Sequence, residues 1–219
     1  MSDIGAPREL LQAVARDLRP VRPLAPPAKR ALALAPVGLV IVLGMPLLWG
    51  FRANLDVLGL PLAWGPSLAL LAAGLGVVAL ALREAVPGRD LSRSALAATV
   101  GGASALVLAV TALTNALVPT AVPPSREWQY AWECLVMAGG PGLLGVAAAA
   151  WLASRALPTR PAVAGSLYGL GVGLMVDAGA RLFCWVSTPA HVLLAHGGAV
   201  VLLAAVGAGL ATIIDRIRS

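Results

Sequence analysis

Charge is what this chain has least of. Charged side chains make up 12% of the 219 residues, and the stretches 95–118 and 196–214 hold none. A soluble domain of this size carries about twice that share, so a water-soluble globular fold is excluded. Catalytic signatures are missing as well: no G-K-S/T phosphate loop, no H-E-x-x-H, and no Ser-His-Asp set in a supporting context. The midspan charges and paired broken helices that mark many ion-coupled transporters are absent, as is an internal repeat. Nothing here argues for an enzyme, and the expectation is that the protein is not one.

Apolar residues are what it has in quantity: 59% of the chain, with a mean hydropathy of +0.86. The few charges cluster between six apolar runs, at 31–51, 62–82, 95–118, 131–153, 162–180 and 196–214. About 20 helical residues cross the ~30 Å hydrocarbon core of a bilayer. The expected fold class is all-α, a polytopic membrane protein with six transmembrane helices. Glu133 heads the fourth run and Asp177 lies near the end of the fifth, so both acids are expected close to a membrane surface. Pro36 and Pro46 are tolerable inside the first run, because neighbouring helices can satisfy freed carbonyls. That run reads as a span and not a cleaved leader: it is too long, 30 residues precede it, and no small-x-small cleavage site follows. In the fifth run Gly165, Gly169 and Gly173 recur every four residues and predict a close-packing helix face.

Basic residues in the loops set the expected orientation. Of the 16, only Arg52, Arg126 and Arg181 fall on one side of the alternating runs. The other side holds six in the N-terminal segment, Arg83, Arg89 and Arg93 in one loop, Arg155 and Arg160 in another, and Arg216 and Arg218 at the C-terminus. Both termini are therefore expected in the cytoplasm, which makes the sequence pI near 10.6 a matter of topology, with no direct nucleic-acid partner implied. The expected organisation is a cytoplasmic helix and spacer over 1–30, a membrane domain over 31–214 and a short cytoplasmic tail over 215–219.

Both cysteines fall on the opposite, outward side: Cys134 in "YAWECLVMAGGPG" and Cys184 in "ARLFCWVSTPAH". In an oxidising periplasm a disulfide between them can persist. A regulated thiol pair, a soft-metal site and two unrelated buried thiols are the other readings. Glu133 adjoins Cys134, His191 follows Cys184 by seven residues, and His196 opens the sixth run. Thiolate and imidazole are ligands that zinc, cadmium or copper would choose, although the spacing is not that of a zinc finger. Taken singly, each histidine reads as an interfacial hydrogen-bonding residue. Trp128, Tyr130, Trp132 and Trp185 on this side read as an aromatic belt.

At the other end, "PRELLQAVARDL" places Leu10, Leu11, Val14 and Leu18 on one stripe of a short helix, with Pro7 and Glu9 suited to its first turn. A helix of a dozen residues is marginal alone in water, so the stripe needs a surface to lie against. Lipid headgroups or a protein groove would serve, and Arg8, Arg16 and Arg19 would help with either. The following "RPVRPLAPPAKR" has four prolines in twelve residues. It is expected to be extended and polyproline-like, holding the helix roughly 30 Å from the membrane.

These features together resemble the six-span membrane anti-sigma factors of the NrsF type. The resemblance rests on the "LRPVRPL…PP" segment, the six short spans, the cysteine of "WECL" ahead of a Pro-Gly, and the second cysteine in "FCWVSTPAHVLLAHG". It implies a protein that holds an extracytoplasmic-function (ECF) sigma factor inactive at the inner membrane until a stress signal arrives. Light-induced, singlet-oxygen-linked anti-sigma factors of the CarR kind have a similar architecture. The resemblance implies that Cys134 and Cys184 sense metals or oxidants, with Glu133, His191 and His196 beside them. It also assigns sigma binding to Leu10, Leu11, Val14, Leu18, Arg8, Arg16 and Arg19, assisted by loops 83–94 and 154–161. The H-x-x-x-C-x-x-C zinc motif of the soluble anti-sigma domain is absent. No cofactor is expected as a requirement; a soft metal ion or a reversible disulfide at Cys134 and Cys184 is the expected option. The alternative from another class is a membrane redox or metal-handling protein using the outer Cys/His cluster.

Overall fold

The computed structural model describes residues 8–17 and 23–218, and all regular structure among them is helical. A short helix α1 (Arg8–Asp17) precedes α2 (Pro27–Leu32), α3 (Ala35–Trp49), α4 (Leu55–Glu84), α5 (Arg93–Leu117), α6 (Pro124–Ala153) and α7 (Pro161–Phe183). The chain ends in α8 (Pro189–His191), a π turn over Val192–Gly197, and α9 (Gly198–Arg218). Six helical segments are long and apolar enough to cross a membrane; α2 with α3 makes the first, and α8 through α9 the last. The six expected runs all reappear, with boundaries shifted by at most seven residues (55 against 62, 124 against 131, 189 against 196). The protein is a multi-pass membrane protein.

Two boundaries differ from expectation for local reasons. Pro27 occupies the first helical position, where its missing N–H costs nothing, so the first span starts four residues early. That removes 27–30 from the expected extended spacer, of which residues 23–26 are described as non-helical. At the other terminus α9 runs on to Arg218, so the expected tail segment is helical through 218. α4 breaks at Gly59 (φ 65°, ψ 165°), a backbone conformation open to glycine and unfavourable for other residues.

The helix α7 is the hub. Buried residues fill 78% of its most apolar window, against 22% for α5. The expected glycine face is there: a Cβ on Gly173 would lie 2.8 Å from Val200 Cα, and on Gly169 2.7 Å from Ala204 Cα. Gly165 likewise faces the backbone of Gly207 on α9. Missing side chains let the two backbones close to a separation at which dispersion contacts accumulate. A second face of α7 meets α4, where Gly171 and Gly74 lie backbone to backbone. Tyr168, also buried, donates its hydroxyl to Gly207 O (2.8 Å). α5 is peripheral, with Ala103, Val107, Val110 and Thr111 as its buried residues.

The start of the first span and the end of the last lie together: Arg30 and Arg218 donate to the carbonyls of Leu152 and Ser154 at the close of α6. There the loops 83–94 and 154–161 are tied together. Glu84, fully buried, accepts from Leu91 N (2.6 Å) and pairs with Arg160 Nη2 (2.7 Å). Arg160 also donates to Leu91 O (3.0 Å), and Thr159 donates to Asp90 Oδ1 (2.9 Å).

Candidate functional site

The opposite end of the bundle brings together three chain segments distant in sequence. Cys134 sits on α6, three turns in from Pro124. Cys184 follows the last residue of α7, where its N–H closes a final helical bond to Ala180 O (2.8 Å) and its own backbone turns extended (φ −76°, ψ 118°). The 184–188 loop is then fixed against the α5–α6 connection: Ser187 N–H donates to Thr120 Oγ1 (2.9 Å), and Thr188 Oγ1 donates to Glu127 Oε1 (3.3 Å). Pro189 starts the last span immediately afterwards, so both histidines lie inside that span. His196 does not open it.

The π turn decides where those histidines point. In a regular α-helix, residues five apart are rotated by about 140° from one another, too far to share a site. The wider i→i+5 turn over 192–197 brings them nearer to alignment. Their rings meet edge to face with centroids 5.8 Å apart. Both are buried, His191 completely.

The result is a cluster in which Cys134, Cys184, His191 and His196 each offer one donor atom, all within 4.8 Å of one another. The two sulfurs are 3.4 Å apart as free thiols, and His191 Nε2 lies 3.2 Å from Cys184 Sγ. His196 Nδ1 is 2.8 Å from Asp177 Oδ1, which leaves Nε2 as its free donor, buried and without a hydrogen-bond partner. Cys184 lies outside the spans. The hydrogen bond from the Cys134 thiol holds its thiol well below the ordinary range, against the opposing effect of burial and with the His191 imidazole assisting.

Asp177 lies six residues before the end of α7 at Phe183, and its carboxylate is buried within the protein between His196 and Arg181. Oδ2 pairs with Arg181 Nε at 3.1 Å, one helical turn along α7. The Arg181 guanidinium reaches on to Thr111 Oγ1 (3.0 Å) on α5, and Arg181 O accepts from Arg52 Nη1 (3.3 Å). Arg52 thus sets a cation at the C-terminal end of α7, where unpaired carbonyls gather. The sequence reading missed Asp177, Arg181, Thr111 and Arg52 as parts of this assembly. One signal was available: an Asp and an Arg four apart in an otherwise apolar span mark a paired interior ion.

Glu133 is not in the cluster. It is exposed on α6 and accepts from Gln129 Nε2 (2.9 Å). Adjacent helical residues are turned about 100° apart, so Cys134 facing inward turns Glu133 outward. Trp128 and Trp132 are exposed, and Tyr130 packs edge-on against Trp185. Of the residues expected to bind a partner at the other end, Arg8, Leu10 and Arg16 are exposed on α1. The side chains of Leu11 and Val14, and residues Leu18 and Arg19 altogether, lie outside the described residues.

Comparison with known proteins gave no match among curated proteins and none among solved structures. The family model "NrsF: Negative regulator of sigma F" matches residues 14–216, nearly the whole chain. The chain belongs to the NrsF family, negative regulators of a sigma factor.

Proposed function

We propose that this protein is an inner-membrane anti-sigma factor, not an enzyme. It sequesters an ECF-type sigma factor at the cytoplasmic face and releases it when an extracytoplasmic or membrane stress alters the Cys134–Cys184–His191–His196 cluster. The observation that carries the reading is the family match over residues 14–216, whose name implies a sigma-factor partner. The bundle supports it in two ways. The cluster and the tied loops 83–94 and 154–161 lie at opposite ends of a bundle organised on α7, which suits a device that senses outside and binds inside. Two of the three basic residues at the cysteine end, Arg52 and Arg181, are buried in hydrogen bonds. Most of the basic residues of the sequence fall in the other set of connecting segments, in keeping with both termini in the cytoplasm.

Docking on α1, aided by the tied loops 83–94 and 154–161, would cover the sigma factor's polymerase-binding surface. Release requires that the two states of the outer cluster differ in affinity for the sigma factor; a ligand outside shifts nothing without that difference. The test is affinity purification of the detergent-solubilised full chain and of a chain lacking residues 2–25, with partners identified by mass spectrometry. An ECF sigma factor is expected with the full chain only, and recovery with neither would refute the reading. The four clustered donors favour one other reading, a membrane redox or metal-handling protein. On that reading cysteine loss abolishes activity while residues 1–25 are dispensable.

A further inference from the structure

We propose that Cys134, Cys184, His191 and His196 form a closed four-coordinate centre for a thiophilic divalent cation of the zinc class, in which Asp177 is the positioning residue for His196. The proposal deepens the sensing half of the function above and rests on that reading only for its regulatory meaning; the binding chemistry stands by itself.

Four protein donors of two kinds converge at one buried point. Tetrahedral ligation with metal–sulfur bonds of about 2.3 Å and metal–nitrogen bonds of about 2.0 Å sets the ligand atoms about 3.3–3.8 Å from one another. The observed separations of 3.4 Å between the sulfurs and 3.2 Å from Cys184 Sγ to His191 Nε2 are within a few tenths of an ångström of that range, and the donors as a set lie within 4.8 Å, so binding would draw the widest pair in by about 1 Å. A simple thiol pair leaves the imidazoles unexplained. In particular it leaves His196 Nε2 buried without a partner, an arrangement that folded proteins avoid.

The surroundings of His196 match those of a metal-bound imidazole. A carboxylate on the second ring nitrogen fixes which nitrogen is free and makes it a better donor. Asp177 Oδ1 at 2.8 Å from Nδ1 does this, while Arg181 on Oδ2 keeps the carboxylate itself from turning. With all four positions supplied by the protein, no coordination site remains for water or substrate, as in structural or sensing centres and unlike catalytic ones. Two thiolates and two imidazoles select zinc or cadmium over magnesium or calcium, which want oxygen. The ion would join α6, the 184–188 loop and the π turn. Through Asp177 and Arg181 its outer shell would extend to Thr111 of α5.

The test uses the full-length protein, purified in detergent under reducing conditions without any sigma factor, so it succeeds or fails separately from partner capture. Cobalt(II) titration is expected to give one ion per chain, a sulfur-to-metal charge-transfer band and the intense visible bands of tetrahedral cobalt, all displaced by zinc. X-ray absorption of the zinc-loaded wild-type protein, which needs no substitution, is expected to show two sulfurs and two imidazoles. D177N should keep the cobalt spectrum and weaken affinity 10- to 100-fold. H196Q should lose the tetrahedral bands. A ligand shell without two imidazoles, or reduced protein that takes up no cobalt, overturns the centre. D177N binding as tightly as wild type overturns the role given to Asp177.

Discussion

Replacing Gly169 by alanine should destabilise the bundle, and the structure allows the loss to be worked out. The added Cβ would lie 2.7 Å from Ala204 Cα and 2.8 Å from Leu203 C, with Leu203 O closer still. Carbon atoms are comfortable at about 3.5–4.0 Å, so α9 must retreat by roughly 0.8 Å along this seam. A gap of that size forfeits a quarter to a half of each neighbouring contact, and the obstructing atoms are backbone, which cannot rotate away. Overpacking of this kind costs about 1–3 kcal/mol, offset by about 1 kcal/mol of improved helix propensity. The expected net loss is up to about 2 kcal/mol, at most a roughly thirty-fold shift of the folding equilibrium, and about 1–3 kcal/mol relative to a glycine-to-alanine change in open space. Gly101→Ala on α5 is the reference, because nothing lies within 4 Å of its Cβ position and only the propensity gain applies. Reversible unfolding in mixed micelles, followed by circular dichroism, compares the two. Equal stabilities within a few tenths of a kcal/mol would refute the backbone-contact argument.

R160M leaves the fully buried Glu84 carboxylate without its cation and should cost about 3 kcal/mol, with E84Q/R160M recovering at least half; equal losses would show that the pair is not what holds the loops. T111V removes the α5 hydroxyl that accepts from Arg181, a charged hydrogen bond worth about 1.5–3 kcal/mol, and should raise amide exchange in α5 above the other spans. Unchanged α5 exchange would mean that Arg181 does not anchor it. L10E, at a position 55% exposed on α1, should lower sigma-factor capture at least tenfold while leaving thermal stability unchanged. Full capture by L10E would remove α1 from the binding surface.

The six spans were legible because run length against bilayer thickness is a coarse rule that survives errors of several residues. The Gly165–Gly169–Gly173 face was legible for a similar reason: a period of four on a helix predicts one face whatever lies opposite. The cluster was only half legible. The sequence nominates Cys134, Cys184, His191 and His196 by chemistry, but a linear reading also admits Glu133, whose adjacency to Cys134 turns it away on a helix. It cannot anticipate the π turn, because the 192–197 segment has nothing in composition to distinguish it from ordinary helix. The partners of Asp177 were not legible, because hydropathy scores an acid without its neighbours, whereas here Arg181 and His196 pair with its carboxylate. The tie between Glu84 and Arg160, 76 residues apart, has no local signature at all.

The burial of α7 carries a consequence for how the chain is made. Its mean hydropathy of 1.3 is the lowest of the six spans, since glycines and the Asp177–Arg181 pair occupy places where lipid-facing helices carry Leu or Val. Such a segment is a poor guest for bare lipid, and its partner along the glycine face, α9, is the last to be synthesised. Until α9 arrives, the hub stands with its backbone uncovered and Asp177 without His196. Ribosome-bound chains ending before residue 189 should therefore be protease-sensitive in α7, and chains completed to Arg218 resistant; equal sensitivity would refute this order of assembly. The last span to be made thus closes the hub and completes the Cys/His cluster in one event.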